Sequence, residues 1–354
     1  MRPAKDSSVV LGPLAIALLS AALFGAATPA SKWLLGALTP LQLAGLLYLG
    51  AALGVAPVAI RAGSLALPRE RRGRRLLVGV IALGGVLGPV LLLLGLRLAS
   101  AASVALWLNL ELAATAVLGA LWFHDRLGAT GWLGIGLAVG AGLLLSSGEG
   151  AAGWVAGALV AAACVCWAFD NHWTALIDGA APAATTFWKG AAAGATNLAL
   201  GTLLAPFDAP PLTVVAALAA GALCYGASIV LYVNAAQALG ATRAQVAFAC
   251  APLFGVGLAA LWLGEPLSVG QGAAAAALAL SVALVLRDRH AHGHSHEAIA
   301  HVHWHRHDDG HHRHAHPDLP AAEAHAHWHE HEPVSHAHAH WPDLHHRHRH
   351  REET

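Results

Sequence analysis

LRLASAASVALWLNLELAATAVLGALWFHDRL, residues 96–127, is an apolar helical segment with a single carboxylate, Glu111, near its middle. Residues 236–267 read AQALGATRAQVAFACAPLFGVGLAALWLGEPL and align with the first segment without a gap, 140 positions further on. At this offset Glu111 falls on Ala251. The chain therefore contains two copies of one helical unit, and only the first copy carries a buried acid.

The composition of the whole chain places these units in a membrane. Of its 354 residues, 56% are hydrophobic and only 11% are charged, which is too apolar for an ordinary soluble protein. A helix needs about 20 apolar residues to cross a bilayer, and the apolar part of the chain is long enough for about ten such helices. Turn-rich breaks place the predicted spans at 9–31, 38–60, 76–97, 101–122, 128–146, 153–177, 182–205, 212–238, 242–263 and 268–286.

Charge at the predicted loops sets the orientation. The segment 61–75 holds six arginines, while the loops on the opposite face carry almost no cations. Positive charge accumulates on the cytoplasmic side of membrane proteins, so we expect both termini in the cytoplasm and a bacterial-type inner membrane. Each half holds five spans, an odd number, so the second half must cross in the opposite sense. This is the inverted repeat of many secondary transporters.

The first predicted span has a weaker sequence match to the sixth. The match pairs Phe24-Gly25 and Thr28-Pro29 with Trp167-Ala168 and Asn171-His172, at an offset of 143 residues. This match supports the same duplication.

The paired segments that end in ALWFHDRL and ALWLGEPL resemble the EamA-type drug/metabolite transporter superfamily. The resemblance covers residues 9–287 and implies ten helices in two inverted repeats, with small molecules as substrates. One departure is that Pro252, common in this helix of the family, is matched by Leu112 in the first copy. A kink in the first copy therefore does not follow from the resemblance.

The predicted fold is an all-α polytopic membrane protein with an appended tail. Its domains are a first EamA-type five-helix repeat at 1–147, a second at 148–287, and a cytoplasmic His-rich tail at 288–354.

Glu111 is the first candidate functional residue. A charge at the bilayer centre costs several kcal/mol and usually faces a cavity or a partner. Glu111 is either a structural carboxyl bonded to a neighbouring helix or a cavity acid that takes up a proton or meets a cationic group of the substrate. Trp107, four residues earlier, is expected on the same helix face.

Other polar residues in the spans complete the candidate set. Asp170 and Lys189 form either an ion pair between spans six and seven or part of the cavity, and a lysine at this depth can also reach the interface. The candidate substrate-binding or coupling residues are Glu111, Trp107, Asn109, Asp170, Asn171, Lys189, Tyr225 and Asn234.

The tail has a different composition. Nearly all of the 25 histidines follow residue 289, many of them in His-X-His triplets. Because the tail has too few apolar residues to build a hydrophobic core, we expect it to be disordered. Imidazoles at this spacing suit Zn, Ni, Co or Cu; the alternative is a solubilising or pH-responsive tail. The predicted metal ligands are His303, His305, His307, His311, His312, His314, His316, His327, His329, His331, His338 and His340.

Three functions remain open from the sequence. The first is a secondary transporter of a small metabolite or ion, with a metal-binding cytoplasmic tail. The second is a divalent transition-metal carrier fed by that tail, and the third is a non-transporting metal sensor or store. The chain has no enzyme motif, so we expect no enzyme activity, no required cofactor and no nucleic-acid partner. Its expected partners are the solute and the bilayer, and a homodimer is left open.

Overall fold

The computed structural model describes residues 7–61, 65–122, 128–177, 182–239, 248–287, 291–296, 299–305, 325–331 and 334–339. Up to residue 287 these residues form a bundle of helices and no strands. The α-helices are α1 (Ser7–Gly25), α2 (Ala27–Leu34), α3 (Pro40–Arg61), α4 (Arg71–Gly79), α5 (Gly88–Leu98), α6 (Ala101–Trp107), α7 (Leu110–Trp122), α8 (Ala129–Gly148), α9 (Gly150–Ala175), α10 (Pro182–Leu204), α11 (Pro211–Ala220), α12 (Ser228–Leu239), α13 (Ala251–Leu263) and α14 (Val269–Arg287).

Several of these helices join into longer apolar rods. Within the described ranges, seven rods are long and apolar enough to cross a membrane: Gly12–Leu34, Pro40–Arg61, Arg71–Leu98, Ala101–Trp122, Ala129–Gly148, Gly150–Ala175 and Pro211–Ala235. Two further apolar helices, Ala251–Leu263 and Val269–Val285, are shorter, and α10 contributes 23 residues. The predicted multi-pass, helical membrane protein is confirmed, while ten crossings stay a prediction.

The helix that carries Glu111 is interrupted. A turn at Leu108 and Asn109 separates α6 from α7, although the first copy has no proline at this point. The second copy has a matching turn at Ala249 and Cys250, directly before α13. The positions of the two helix breaks therefore agree, to within one residue, with the 140-residue duplication.

The rods of spans three and eight each contain a π-helical segment, Val80–Leu87 and Gly221–Ala227. The two segments lie about 140 residues apart, as the duplication requires. In the first, the Gly88 amide donates to the carbonyl of Leu83, five residues back. Pro89 follows and has no amide hydrogen, so it cannot donate to the carbonyls of Gly84 and Gly85. Side chains must supply these donors, because lipid offers none.

The two repeats pack closely where α3 crosses α10. A methyl group on Gly45 would lie 2.5 Å from the Leu198 amide nitrogen, and one on Gly194 would lie 2.6 Å from the Leu49 amide nitrogen. Only glycine permits this approach of two backbones. This contact joins a helix of the first repeat to one of the second.

A carboxylate of the second repeat holds the turn that begins α6. Glu265 accepts hydrogen bonds from the amides of Ala101 and Ala102, at 2.8 and 2.9 Å. Both alanines are completely buried. The first amides of a helix have no partner within the helix, and the helix dipole favours a negative charge beside them. We call 96–103 the Ser100 turn.

Lys32 and Glu149 hold the same turn from other sides. The Lys32 ammonium donates to the carbonyls of Leu96 and Ala99, at 2.7 and 2.8 Å. The Glu149 carboxylate accepts from the amide of Ser100 at 3.2 Å and from its hydroxyl. Cations thus meet a helix C-terminus and anions a helix N-terminus, which is the favourable sense for both.

The described part of the tail forms short strands. β1 (Ala291–His296) pairs antiparallel with β4 (Val334–Ala339), and β2 (Ile299–His305) pairs antiparallel with β3 (His325–His331). The expectation of disorder differs from the structure at these segments. His-X-His alternation has the period of two that a strand requires, and pairing satisfies the backbone groups on the facing edges of the two strands.

We predict that Glu265→Ala destabilises the fold by about 1–3 kcal/mol, because it leaves two buried amides without an acceptor. Glu265→Gln, which keeps one acceptor oxygen, is expected to lose less. Unfolding in mixed detergent–SDS micelles measures both. Asp208→Asn is the matched control, since Asp208 is an exposed carboxylate in another loop. Equal stability of Glu265→Ala and the control would contradict the role given to Glu265.

Candidate solute site between the repeats

A cavity of about 160 Å³ lies between the two repeats. The first repeat contributes α1–α3, α5 and α7, and the second contributes α9, α10, α12 and the second π segment. The lining residues are Phe24, Ala27, Thr28, Tyr48, Ala51, Leu92, Leu108, Glu111, Trp167, Asp170, Asn171, Thr186, Lys189, Gly190, Tyr225 and Ile229.

An ion pair forms one side of the cavity. Lys189 Nζ lies 2.5 Å from Asp170 Oδ2, and the Thr174 hydroxyl donates to Asp170 Oδ1 at 3.1 Å. The Asp170 side chain is 5% exposed and that of Lys189 is 23% exposed. Both oxygens of Asp170 therefore have donors, as a carboxylate out of water requires.

Gly84 makes room for this ion pair. A methyl group at Gly84 would overlap with Asp170 Oδ2. Its carbonyl, which Pro89 leaves without a helical donor, accepts from the Tyr48 hydroxyl at 2.7 Å and from Trp167 Nε1 at 3.0 Å. The polar atoms of both aromatic side chains are thus used by the backbone, and their rings face the cavity.

Asn197 satisfies the neighbouring carbonyls. Its amide nitrogen lies 3.2 Å from the Gly85 oxygen and 3.4 Å from the Val86 oxygen. This fully buried side chain comes from α10 of the second repeat. The π segment of one repeat is therefore completed by side chains of both.

Glu111 is held by an amide. Asn171 Nδ2 donates to Glu111 Oε1 at 2.9 Å, and no cation lies within ion-pair distance of Glu111 among the described residues. The turn at Leu108 and Asn109 places Glu111 in the first turn of α7. It is the one carboxylate of the cavity without a cationic partner in the described part of the chain.

The structure brings together five of the eight predicted binding or coupling residues: Glu111, Asp170, Asn171, Lys189 and Tyr225 all line the cavity.

The other three predicted residues lie elsewhere. Trp107 is 1% exposed, and its indole donates to the Gly142 carbonyl at 3.1 Å. Asn109 donates to the Leu106 carbonyl within its own turn. The prediction that Trp107 shares a face with Glu111 assumed a continuous helix, and the turn between them breaks that register. Asn234 is exposed on α12, outside the cavity.

The weaker sequence match adds three cavity residues to those five. Phe24, Thr28, Trp167 and Asn171 of this match line the cavity. Their neighbours Gly25, Pro29, Ala168 and His172 are not among its lining residues. Tyr48 is not signalled by the sequence, because its role depends on a carbonyl 36 residues away.

No group of three His, Cys, Asp or Glu side chains able to hold a metal ion occurs in the part of the chain that the structure describes. Of the predicted metal ligands, His303, His305, His327, His329, His331 and His338 fall on the strands β2, β3 and β4. His307, His311, His312, His314, His316 and His340 lie outside the described residues.

Comparison with known proteins agrees with the two-repeat architecture. The model of the EamA-like transporter family matches residues 11–147 and again residues 154–287. The chain belongs to the EamA-like transporter family. Its members are membrane transporters of small substrates and not enzymes, as the resemblance in the paired segments implied.

A solved structure shares the fold. Its title reads only "Crystal structure of protein", and it matches with a TM-score of 0.56 at 17% identity, covering 80% of this chain and 98% of the other. A search of curated proteins found no match.

We predict that Asp170→Asn and Lys189→Gln each lower stability by about 3–5 kcal/mol, because each leaves a buried or partly buried charge without its partner. The double variant is expected to lose less than the sum of the two single losses. Thermal unfolding in detergent supplies the four values of this double-mutant cycle. Additive losses would show that the two side chains do not interact.

Proposed function

We propose that this protein is a secondary active transporter that carries a small metabolite or ion through the cavity between its repeats by alternating access. The observation that supports this best is the cavity itself, which holds an acid without a cationic partner among the described residues and is lined by both repeats of a transporter-family bundle. Inverted repeats of this kind bind their solutes at the repeat interface.

Glu111 is the proposed binding or coupling acid. It takes up a proton in one step of the cycle and releases it, or exchanges it for a cationic group of the solute, in another. The charged and titratable side chains that line the same cavity are Asp170, Lys189, Tyr48 and Tyr225. Asp170 and Lys189 are engaged with each other, so proton exchange is assigned to Glu111.

The tail is the proposed site of divalent metal binding. In β2 and β3 the backbone register sets His301 opposite His329, His303 opposite His327, and His305 opposite His325. Directly opposed residues of an antiparallel pair are close neighbours, and neutral imidazole binds Zn, Ni, Co and Cu. Metal bound to the tail would regulate transport, or the tail would simply buffer the metal concentration.

The rival transport function is a divalent-metal carrier fed by the tail, and the histidine density is the observation that favours it. The proposed orientation places this tail in the cytoplasm, because the arginine-rich segment 61–75 marks that face of a bacterial-type inner membrane.

We predict that Glu111→Gln abolishes proton-coupled transport, or at least removes its pH dependence, because an amide side chain neither takes up nor releases a proton near neutral pH. Proteoliposomes with an imposed pH gradient and a panel of radiolabelled metabolites provide the measurement. Glu70→Gln, which removes an exposed carboxylate outside the cavity, is the control. Unchanged flux and pH dependence in Glu111→Gln would rule out a coupling role for this acid.

We predict that a chain ending at residue 287 keeps solute flux and loses high-capacity zinc binding, because the tail holds nearly all of the histidines. Equilibrium dialysis gives the zinc stoichiometry, and vesicle uptake gives the flux. If truncation instead abolishes flux of zinc or nickel, the metal-carrier function is favoured. If no solute in the panel moves in either form, the sensor or store is favoured.

A further inference from the structure

The charges that line the cavity leave one negative charge in excess. Asp170 and Lys189 cancel, since they form a direct ion pair. Glu111 has an amide partner and no cationic one among the described residues. When Glu111 is ionised the cavity is therefore complementary to a single positive charge.

Aromatic rings supply part of the remaining surface, beside aliphatic side chains such as Leu92, Leu108 and Ile229. Phe24 and Tyr225 meet edge to face with centroids 5.9 Å apart, and Tyr48 and Tyr225 lie 6.2 Å apart. Trp167 forms a further part of the wall. Since the backbone already holds the polar atoms of Tyr48 and Trp167, their rings are available for apolar and cation–π contact.

The size of the cavity limits the solute. Its volume of about 160 Å³ is below the range of roughly 300–1,000 Å³ that is usual for drug-sized ligands. A solute with one ring or a short chain is the appropriate size.

We propose that the solute is a small organic amine with one positive charge and an apolar, preferably aromatic, body. This inference rests on the proposed transport function and names its substrate class. The ammonium group binds Glu111 Oε2, since Asn171 occupies the other oxygen, and the apolar body lies against Phe24, Tyr48, Trp167 and Tyr225.

A divalent metal ion fits this cavity poorly. Such ions take several nitrogen, sulfur or oxygen ligands, whereas Asp170 is already neutralised by Lys189. The described residues contain no group of three ligating side chains. The metal of the tail and the solute of the cavity are thus different species.

An anion or a zwitterion is also disfavoured. Its carboxylate would need Lys189, which lies 2.5 Å from Asp170, and would have to displace that carboxylate. A carboxylate left beside Glu111 would repel it in a low-dielectric cavity.

Binding to the full-length protein in nanodiscs tests the substrate class. The probes are radiolabelled phenethylamine, phenylalanine and 3-phenylpropionate, which present a cation, a zwitterion and an anion on similar frameworks. We expect saturable binding of phenethylamine that is at least tenfold tighter than that of the other two. Equal or tighter binding of phenylalanine or 3-phenylpropionate, or no binding of any probe, would overturn the inference.

Variants assign the binding to Glu111. Glu111→Gln is expected to weaken phenethylamine binding at least tenfold, Glu111→Asp to retain part of it, and Glu70→Gln to leave it unchanged. Zinc stoichiometry is expected to be the same in Glu111→Gln as in the parent chain. A loss of one zinc site in Glu111→Gln, or equal amine binding in parent and Glu111→Gln, would contradict the assignment.

The binding and flux experiments distinguish a wrong substrate assignment from a wrong transport function. If phenethylamine binds through Glu111 but no vesicle flux occurs, the substrate chemistry stands and the transport function is wrong. If an anion or a zwitterion is transported in a Glu111-dependent way, the transport function stands and the assignment of an amine as the substrate is wrong.

Discussion

Asp170 and Lys189 neutralise each other inside the helix bundle, and the character of the cavity depends on how they are held. Their contact needs space beside Gly84, where any side chain would meet the carboxylate. Because the lysine is paired with Asp170, it forms no ion pair with Glu111. The same ion pair therefore balances one carboxylate and leaves the other available to a solute or a proton.

The cavity wall also depends on a proline that follows the π-helical part of span three. Pro89 cannot donate to the carbonyls of Gly84 and Gly85, and in a membrane these oxygens must find other donors. Tyr48, Trp167 and Asn197 supply them from three different helices. A local backbone irregularity thus fixes the orientation of two aromatic side chains that form the cavity wall. Comparable irregularities recur at functional sites in other helical proteins.

The sequence predicts the parts of this structure that depend on local pattern. Hydropathy and turn residues locate the helices, and the 140-residue duplication gives the two repeats. The cost of burying charge identifies Glu111, Asp170 and Lys189, since an ionisable side chain at that depth usually faces a cavity or a partner.

What the sequence does not predict depends on breaks in the pattern and on distant contacts. Helical spacing predicts that Trp107 lies on the face of Glu111, but the turn at Leu108 and Asn109 interrupts the helix between them. Tyr48 and Gly84 have no unusual sequence environment, and their importance comes from residues of α9 and α10. The strands of the tail arise because alternation suited to metal ligation also suits backbone pairing.

The contact of Glu265 with the Ser100 turn bears on how easily the bundle can change shape. If α6 and α13 separate, the amides of Ala101 and Ala102 exchange a carboxylate for interfacial water, and Glu265 becomes hydrated. One set of polar partners replaces another, so the closed and open arrangements differ by much less than the strength of the bonds that change. A bound solute shifts such an equilibrium only by its difference in affinity for the two arrangements. In the proposed transport cycle, a small solute with a single charged contact would then be sufficient to shift it.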